Sequence, residues 1–368
     1  MKFVIVTGIF PPEIGGPARV MFDVAEELRS RSHEVLVVTY GDQVQKQAAV
    51  VRISRGGHVL KRYIRMCRAI RAHLQPQTVV IATDVFSVGI PTRLALIGKK
   101  NTFFVRLGGE WAWEDAVTKG RYSGTLRDFW GKYTDWRKMF QRLNYQWITH
   151  RARSIFVTSS FLGDILTQYL HLPKQMIQLA ENQASFNSVS HQEKNTAQPL
   201  RILYVGRFAP VKNVCFLARV LCTCEQRGLS FVATLVGDGP DVSKIQQIIS
   251  GSKNTVIMAP VDRATLAEVY ATHDIFALPS LSDICPNAVL EALAHGLPCL
   301  MTTEHGLSRP LLGTQECDPQ NEQAWVDVLS SWIQHPEQVA ALCKQIQIKR
   351  GDQKPTLADQ IISFAQVK

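Results

Sequence analysis

Residues 1–18 read MKFVIVTGIFPPEIGGPA, a short apolar run followed by a loop rich in glycine and proline. The run at 3–6 is continuously apolar, as expected for a parallel strand that is covered on both faces. A second start of the same kind, LRILYVGR, occupies residues 200–207. After each start, β-rich runs alternate with helical patterns, which predicts an α/β fold with parallel, doubly wound sheets.

The alternation predicts two domains. In the first half, strands are predicted at 3–7, 35–39, 79–82, 103–106 and 155–158. In the second half, strands are predicted at 202–205, 232–236, 256–259, 275–278 and 298–301, and helices at 213–227, 241–250, 264–272 and 287–295. The polar stretch 186–199 is predicted to link domain 1–185 to domain 200–354. A final helical pattern at 355–368 could pack on either domain, and we assign it to the first.

Composition excludes several classes of protein. With 46% hydrophobic and 20% charged residues, the 368-residue chain is globular and not disordered or collagen-like. No apolar run is long enough to cross a membrane, and the first is too short for a signal peptide. The eight cysteines fit neither a disulfide framework nor a zinc site. We therefore expect a reduced, cytoplasmic protein. The sequence also lacks the common motifs of dehydrogenases, P-loop NTPases, α/β-hydrolases and zinc proteases, and it lacks an Asp-X-Asp metal motif, so we expect no metal.

Positive charge is concentrated in the first half, where residues 1–180 hold 26 Lys and Arg against 13 Asp and Glu. Residues 59–74 form a basic amphipathic helical pattern. Its predicted apolar face comprises Leu60, Tyr63, Ile64, Cys67, Ile70 and Leu74. The basic face could lie on an anionic membrane, or it could simply be solvated while the apolar face packs on a sheet. Nucleic acid is disfavoured because no nucleic-acid-binding motif accompanies the charge.

Two of the loops that follow predicted strands carry residues suited to a phosphorylated ligand. Gly15 and Gly16 would let the backbone approach a ligand at a helix N-terminus. The loop after the first strand of the second domain carries Gly206, Arg207 and Lys212. Two cations there suit a diphosphate, since Arg binds phosphate bidentately and Lys binds it as a point charge. Each pattern, taken alone, is also typical of an ordinary loop or of exposed cations.

Two further loops complete the set. GDGP at 237–240, which includes Gly237, is typical of a strand-to-helix turn. In DICPNAVLE at 283–291, Pro286 is predicted to occupy the first position of a helix. The helix N-terminus would favour a phosphate, and Asp283 and Glu291 could accept hydrogen bonds from sugar hydroxyls. Alternatively, Asp283 could cap the helix and Glu291 could be an ordinary surface acid.

Together, GR…K at 206–212, GDGP at 237–240 and PSLSDICPNAVLEALAHGLP at 279–298 resemble the retaining glycosyltransferases of family 4. That family has the GT-B fold, in which two Rossmann-like domains face each other across a cleft. Asp283 and Glu291 have the spacing of the family's acidic pair. The Gly-Gly loop and LGGEWAWE at 107–114 are similar to a bacterial subgroup. The resemblance covers nearly the whole chain and is more specific in its second half.

The resemblance implies that a hexose-type sugar passes from a UDP- or GDP-sugar to a glycan or lipid-linked acceptor. Transfer would retain the anomeric configuration without metal or cofactor. Arg207 and Lys212 would stabilise the leaving diphosphate, Asp283 would bind the donor sugar, and Glu291 would bind the ribose. The other implied donor-binding residues are Gly15, Gly16, Gly206, Gly237, Cys285, Pro286, Asn287 and Ala288.

The chain departs from the family pattern at two positions. Asp283 is one methylene shorter than the usual Glu. Where the family often has a His at a first-domain strand end, this chain has Arg106 and Glu110. We therefore expect Glu110 to be catalytic and both residues to face the acceptor. An ion pair between Glu110 and a neighbouring Arg is the alternative.

Two other functions fit parts of the pattern. A nucleotide-sugar 2-epimerase of the same architecture would also bind a diphosphate sugar. A non-catalytic module that binds membranes or polyanions would use the basic first domain alone. The complete set of loops favours the transferase. We expect it in the cytoplasm, with the basic pattern at 59–74 as a surface for peripheral binding to the inner membrane face.

Overall fold

The computed structural model describes residues 1–13, 15–41, 48–181, 199–307, 311–346 and 355–366. These residues form two compact units. The first is drawn from Met1–Ala112, Tyr133–Gln183 and Gln353–Lys368, and the second from Trp113–Lys132 and Ala184–Asp352. Apart from Pro199, the predicted linker lies outside the described residues.

The first unit contains a seven-stranded parallel sheet. Its strands are β1 Lys2–Thr7, β2 Glu34–Tyr40, β3 Val50–Ile53, β4 Val79–Ala82, β5 Phe103–Leu107, β6 Ser154–Val157 and β7 Ile177–Leu179. They lie in the order β3-β2-β1-β4-β5-β6-β7. The helices of the first half are α1 Gly16–Ser30, α2 Val59–His73, α3 Gly89–Ala95, α4 Trp111–Thr118, α5 Leu126–Gly131, α6 Trp136–Thr149 and α7 Ser160–Gln168.

The second unit contains a six-stranded parallel sheet in the order β10-β9-β8-β11-β12-β13. Its strands are β8 Leu200–Val205, β9 Phe231–Val236, β10 Thr255–Met258, β11 Ile275–Leu278, β12 Cys299–Thr302 and β13 Thr314–Cys317. Its helices are α8 Val214–Gln226, α9 Val242–Ile248, α10 Arg263–Thr272, α11 Asn287–Ala294, α12 Glu322–Gln334 and α13 Pro336–Gln345. Helices therefore alternate with parallel strands in both units, which makes the protein α/β as the sequence predicts.

The last helix, α14 (Leu357–Gln366), packs in the first unit. Its buried side chains Leu357 and Ile361 join the core formed by one face of the first sheet and α1. An ion pair of 2.6 Å between Arg31, directly after α1, and Asp359 accompanies this packing. Because exposed pairs of this kind contribute little, the apolar contacts supply most of the stabilisation.

Residues 113–132 pack in the second unit, although the domain boundaries predicted from the sequence include them in domain 1–185. The N–H of Leu126 donates to Ser282 Oγ at 2.9 Å, and Arg127 Nε lies 3.2 Å from Glu304 Oε1. Phe129 is buried as well. The sequence gives no signal for this exchange, because its apolar pattern would suit either core.

The structure contains all ten predicted strands and three that were not predicted: β3, β7 and β13. All three are edge strands. Edge strands are covered less completely than central ones, and only one residue each in β3 and β13 and none in β7 is buried. They therefore lack the continuous apolar run by which the central strands are recognised.

The predicted helix at 59–74 is present as α2, but the apolar face predicted for it was wrong in part. Leu60 and Ile64 are exposed, and the buried side chains are Met66 and Ile70. Tyr63 also points inward, since its hydroxyl donates to the carbonyl oxygen of Phe86 at 2.6 Å. Relative to the predicted orientation, the helix is rotated about its axis so that the side containing Met66 and Ile70 faces the core.

We expect Ile361→Ala to lower the free energy of unfolding by about 2–5 kcal/mol, because it opens a cavity in the first unit's core. Ile362→Ala, one position along and only partly buried, is the matched control and should cost less. Urea unfolding of the full chain measures both. Equal stability of the Ile361 variant and the wild type would contradict the packing of α14.

Candidate functional site

The second sheet has a switch point between β8 and β11, which lie side by side although three helices and two strands separate them in sequence. In parallel α/β sheets, ligands bind at the carboxyl ends of the strands at such a point. Two loops leave the sheet here. The one after β8 carries Gly206, Arg207 and Lys212, and the one after β11 carries Asp283.

Lys212 and Asp283 form an ion pair at this switch point, with 2.6 Å between Nζ and Oδ2. The Asp283 side chain is only 7% exposed, whereas that of Lys212 is 31% exposed. The hydroxyl of Ser280 also donates to Asp283 Oδ2 at 3.3 Å. A carboxylate this deeply buried requires a cation and hydrogen bonds, and Lys212 supplies the charge while remaining accessible from solvent.

Hydrogen bonds to backbone groups hold the two loops of the pair in place. Asn213, in a left-handed conformation with φ 56°, donates through Nδ2 to the carbonyl oxygens of Pro279 and Pro319. The N–H of Asp283 donates to Glu304 O at 2.8 Å, and Gly306 N donates to Asp283 O at 2.9 Å. The loop after β8 and the loop after β11 are therefore tied to each other and to the loop after β12.

Arg207 and Gly237 line one pocket of about 290 Å³ at the carboxyl ends of β8 and β9. Pro260, Val261 and Leu266 form part of its wall. A Cβ atom at Gly237 would overlap the carbonyl oxygen of Gly206, so only glycine fits at this turn. Arg207 is exposed, which leaves its guanidinium accessible. The sequence carries no distinctive signal for this apolar wall, because Pro260 and Val261 lie in a loop and Leu266 lies in helix α10.

Helix α11 begins at Asn287, and Pro286 occupies the N-cap position instead of the predicted first helical position. The N–H groups of Asn287 and Val289 donate to the carbonyl oxygens of Cys285 and Pro286. Among the residues that the structure describes, the N–H of Ala288 has no acceptor. This N-terminus therefore keeps both a free donor and the positive end of the helix dipole.

Glu291 contacts α10, and no hydrogen bond joins it to Asp283 in the part of the chain described. Its Oε2 accepts from the Tyr270 hydroxyl at 3.2 Å, and the Tyr270 ring stacks on His295. Burial, together with the charge of Glu291, raises the pKa of Tyr270, so its hydroxyl remains a donor. The Tyr270 contact holds the Glu291 carboxylate in place on the side of α11 that faces α10.

The predicted residues of the first unit lie in two places. Gly15 caps α1, which begins at Gly16, and a Cβ on Gly16 would meet no atom. Glu110 is fully buried, and its Oε1 accepts from the Tyr145 hydroxyl at 2.7 Å and from Ala112 N at 3.2 Å. Arg106 is buried as well. Their roles toward donor and acceptor stay predictions.

Within the described ranges, no group of three or more His, Cys, Asp or Glu side chains could hold a metal ion. The same residues include no helix with both the length and the hydropathy of a membrane span. The eight cysteines are all free thiols.

Two family models match the chain. One, described as Glycosyl transferases group 1, matches residues 199–335, and the other, described as Glycosyltransferase Family 4, matches residues 14–182. Among relatives, EpsF of Bacillus subtilis, named only as a glycosyltransferase, is 33% identical over 109 residues. That match covers 29% of this chain and 28% of EpsF, less than a third of the relative's length.

Two further similarities extend over more of the chain. A GDP-mannose-dependent alpha-mannosyltransferase of Mycobacterium tuberculosis is 23% identical over 82% of this chain and 78% of its own. The solved structure of apo WaaB, a lipopolysaccharide outer core galactosyltransferase, has a TM-score of 0.69 at 17% identity and 99% coverage of both chains. These findings favour neither an epimerase nor a non-catalytic module. With glycosyltransferase models matching both halves of this α/β chain, the protein belongs to the family 4 glycosyltransferases and is an enzyme of GT-B architecture.

Proposed function

We propose that the enzyme transfers a hexose-type sugar from a UDP- or GDP-sugar to a glycan or lipid-linked acceptor, with retention of configuration and without a metal. The observation that carries this proposal is the ion pair of Lys212 with Asp283 at the switch point of the second sheet. It sets a cation for phosphate beside a carboxylate for sugar hydroxyls.

The leaving diphosphate would be stabilised by fixed positive groups. Lys212 and Arg207 both follow β8; Lys212 is partly exposed and Arg207 is exposed. The free N–H of Ala288 and the dipole of α11 add a third donor. Charge that develops on the diphosphate as the glycosidic bond breaks would meet donors that are already in position, which is the effective form of electrostatic catalysis.

The nucleoside would occupy the pocket beside Arg207. The apolar wall of Val261 and Leu266 suits the face of a nucleobase, and a pocket of about 290 Å³ accommodates one. Glu291 would bind the ribose, because Tyr270 occupies only one of its two carboxylate oxygens. The mycobacterial relative is named as GDP-mannose-dependent, which makes GDP-mannose a donor to test first.

In the first unit, we propose that Gly15 and Gly16 lie beside the donor diphosphate and that Arg106 and Glu110 belong to the acceptor side. Glu110 is buried, and its carboxylate accepts hydrogen bonds from the N–H of Ala112 at the start of α4 and from the Tyr145 hydroxyl. We propose that it positions the loop after β5, with Arg106 beside it. In the transfer, the acceptor oxygen bonds to the anomeric carbon, the bond to phosphate breaks, and a donor phosphate oxygen takes the acceptor proton.

We also propose that the enzyme works in the cytoplasm at the inner membrane face. The basic helix α2 supports this, because its exposed residues include Lys61, Arg68 and Arg71 and anionic headgroups attract such a surface.

We expect Arg207→Gln to weaken binding of the matching nucleoside diphosphate by about 10- to 100-fold, the value of one charge-assisted hydrogen bond. Titration calorimetry with UDP and GDP measures it. Arg227→Gln, an exposed arginine at the far end of α8, is the matched control and should bind as wild type. Unchanged affinity in the Arg207 variant would argue against the proposed diphosphate site.

Asp283→Asn keeps the size of the side chain but removes the charge that pairs with Lys212. We expect it to reduce sugar transfer by about 10- to 100-fold while nucleoside diphosphate affinity changes by less than about threefold, because Lys212 still offers its charge to the diphosphate. Release of UDP or GDP from a donor chosen by thermal shift measures turnover, in parallel series with EDTA and with added Mg²⁺. Asp327→Asn, an exposed carboxylate on α12, is the control. Full activity of the Asp283 variant would contradict its role, and dependence on added Mg²⁺ would contradict the absence of a metal.

A further inference from the structure

Helix α6 exposes a stripe of large apolar side chains. The stripe consists of Trp136, Met139, Phe140, Leu143 and Trp147. Their exposed fractions range from 38% to 70%. Spacings of three and four residues place them on one side of the helix, over a length of about 16 Å. Apolar residues at this spacing normally face a core, so an exposed stripe requires another explanation.

The opposite side of α6 anchors the helix and fixes the direction of the stripe. Tyr145, Ile148 and Thr149 are buried. The Tyr145 hydroxyl donates to Glu110 at 2.7 Å. The outward stripe is therefore not a core face that could turn inward by rotation of the helix, because rotation would expose these three side chains.

The neighbouring helices extend the apolar surface. Helix α3 packs against both α2 and α6. Leu94 of α3 and Ile97 just after it are exposed, as are Val59, Leu60 and Ile64 of α2. Ten of the seventeen exposed large hydrophobic residues in the described chain lie on these three helices or directly after them. The exposure is concentrated on one part of the first unit and not scattered singly.

The helices of this surface carry net positive charge. Helices α2 and α6 together contain eight Lys and Arg and no Asp or Glu. None of the five α2 cations forms an ion pair with a described residue. The guanidinium of Arg93 on α3 lies 5.1 Å from the Trp147 ring centre. Of the three α6 cations, Arg137 lies 3.5 Å from Asp135, the N-cap of the helix. The surface therefore combines exposed aromatic and aliphatic groups with net positive charge.

We propose that α6 inserts its apolar stripe into the headgroup region of an anionic lipid bilayer, with α2 contributing positive charge and its exposed Leu60 and Ile64. Interfacial helices bury such a face by about 5–10 Å, and Trp favours that depth. A second copy of the chain fits less well, since two such faces would repel each other. This inference deepens the proposed function, on which it rests for a lipid-linked acceptor.

Sedimentation with vesicles tests the proposal. The wild type should bind vesicles of phosphatidylcholine with 30 mol% phosphatidylglycerol at least about tenfold more tightly than phosphatidylcholine alone, and binding should weaken as salt rises. The double variant Phe140→Ser, Leu143→Ser should lose at least about tenfold in affinity. Val256→Ser, Met258→Ser, at two exposed positions of β10, is the matched control and should bind as wild type.

Absence of binding by the wild type, or wild-type binding by the α6 variant, would overturn the proposal. Sedimentation equilibrium tests for a dimer. If the wild type forms a dimer that the α6 variant abolishes, and does not bind vesicles, the surface belongs to a second copy instead. Titration with UDP and GDP on the same variants keeps the two proposals separate. The α6 variant should bind nucleotide normally. If the wild type binds vesicles but no nucleotide, the proposed function is contradicted and the membrane-binding proposal is not.

Discussion

The ion pair between Lys212 and Asp283 is the contact on which the site depends. It joins the loop after β8 to the loop after β11 where these strands lie side by side. With 2.6 Å between Nζ and Oδ2 and a further hydrogen bond from Ser280 to the carboxylate, the fold holds both groups in place. A diphosphate sugar would find its cation and its carboxylate preorganised, and little reorganisation would be required on binding.

The arrangement of the fold follows from apolar periodicity wherever strands are covered on both faces. Central strands such as β1 and β8 read as continuous apolar runs, and the sequence predicts them within a residue or two. Edge strands β7 and β13 escape prediction because few of their residues are buried. The orientation of α2 escapes it too, because both Ile64 and Met66 could belong to an apolar face and only tertiary packing decides between them.

The site was predictable to the extent that its chemistry is carried by unusual residues at strand ends. The spacing of Arg207 and Lys212 after a strand, and the acid and helix start at 283–287, were visible in the sequence. The apolar wall at Val261 and Leu266 was not, because one residue of a loop and one of helix α10 form it and neither follows a distinctive motif. Nor was the packing of residues 113–132 beside Ser282, which depends on contacts between segments 156 residues apart. For Glu110, the sequence predicts a catalytic role toward the acceptor, which stays a prediction, and it gives no signal for the full burial of this side chain.

A crystal structure of the protein with its nucleoside diphosphate tests the central claim most directly. The account predicts a phosphate oxygen within about 3.2 Å of Lys212 Nζ, the guanidinium of Arg207 on the same diphosphate, and the base in the pocket beside Val261. A diphosphate bound elsewhere, with the pair of Lys212 and Asp283 unchanged and no phosphate near it, would contradict the account.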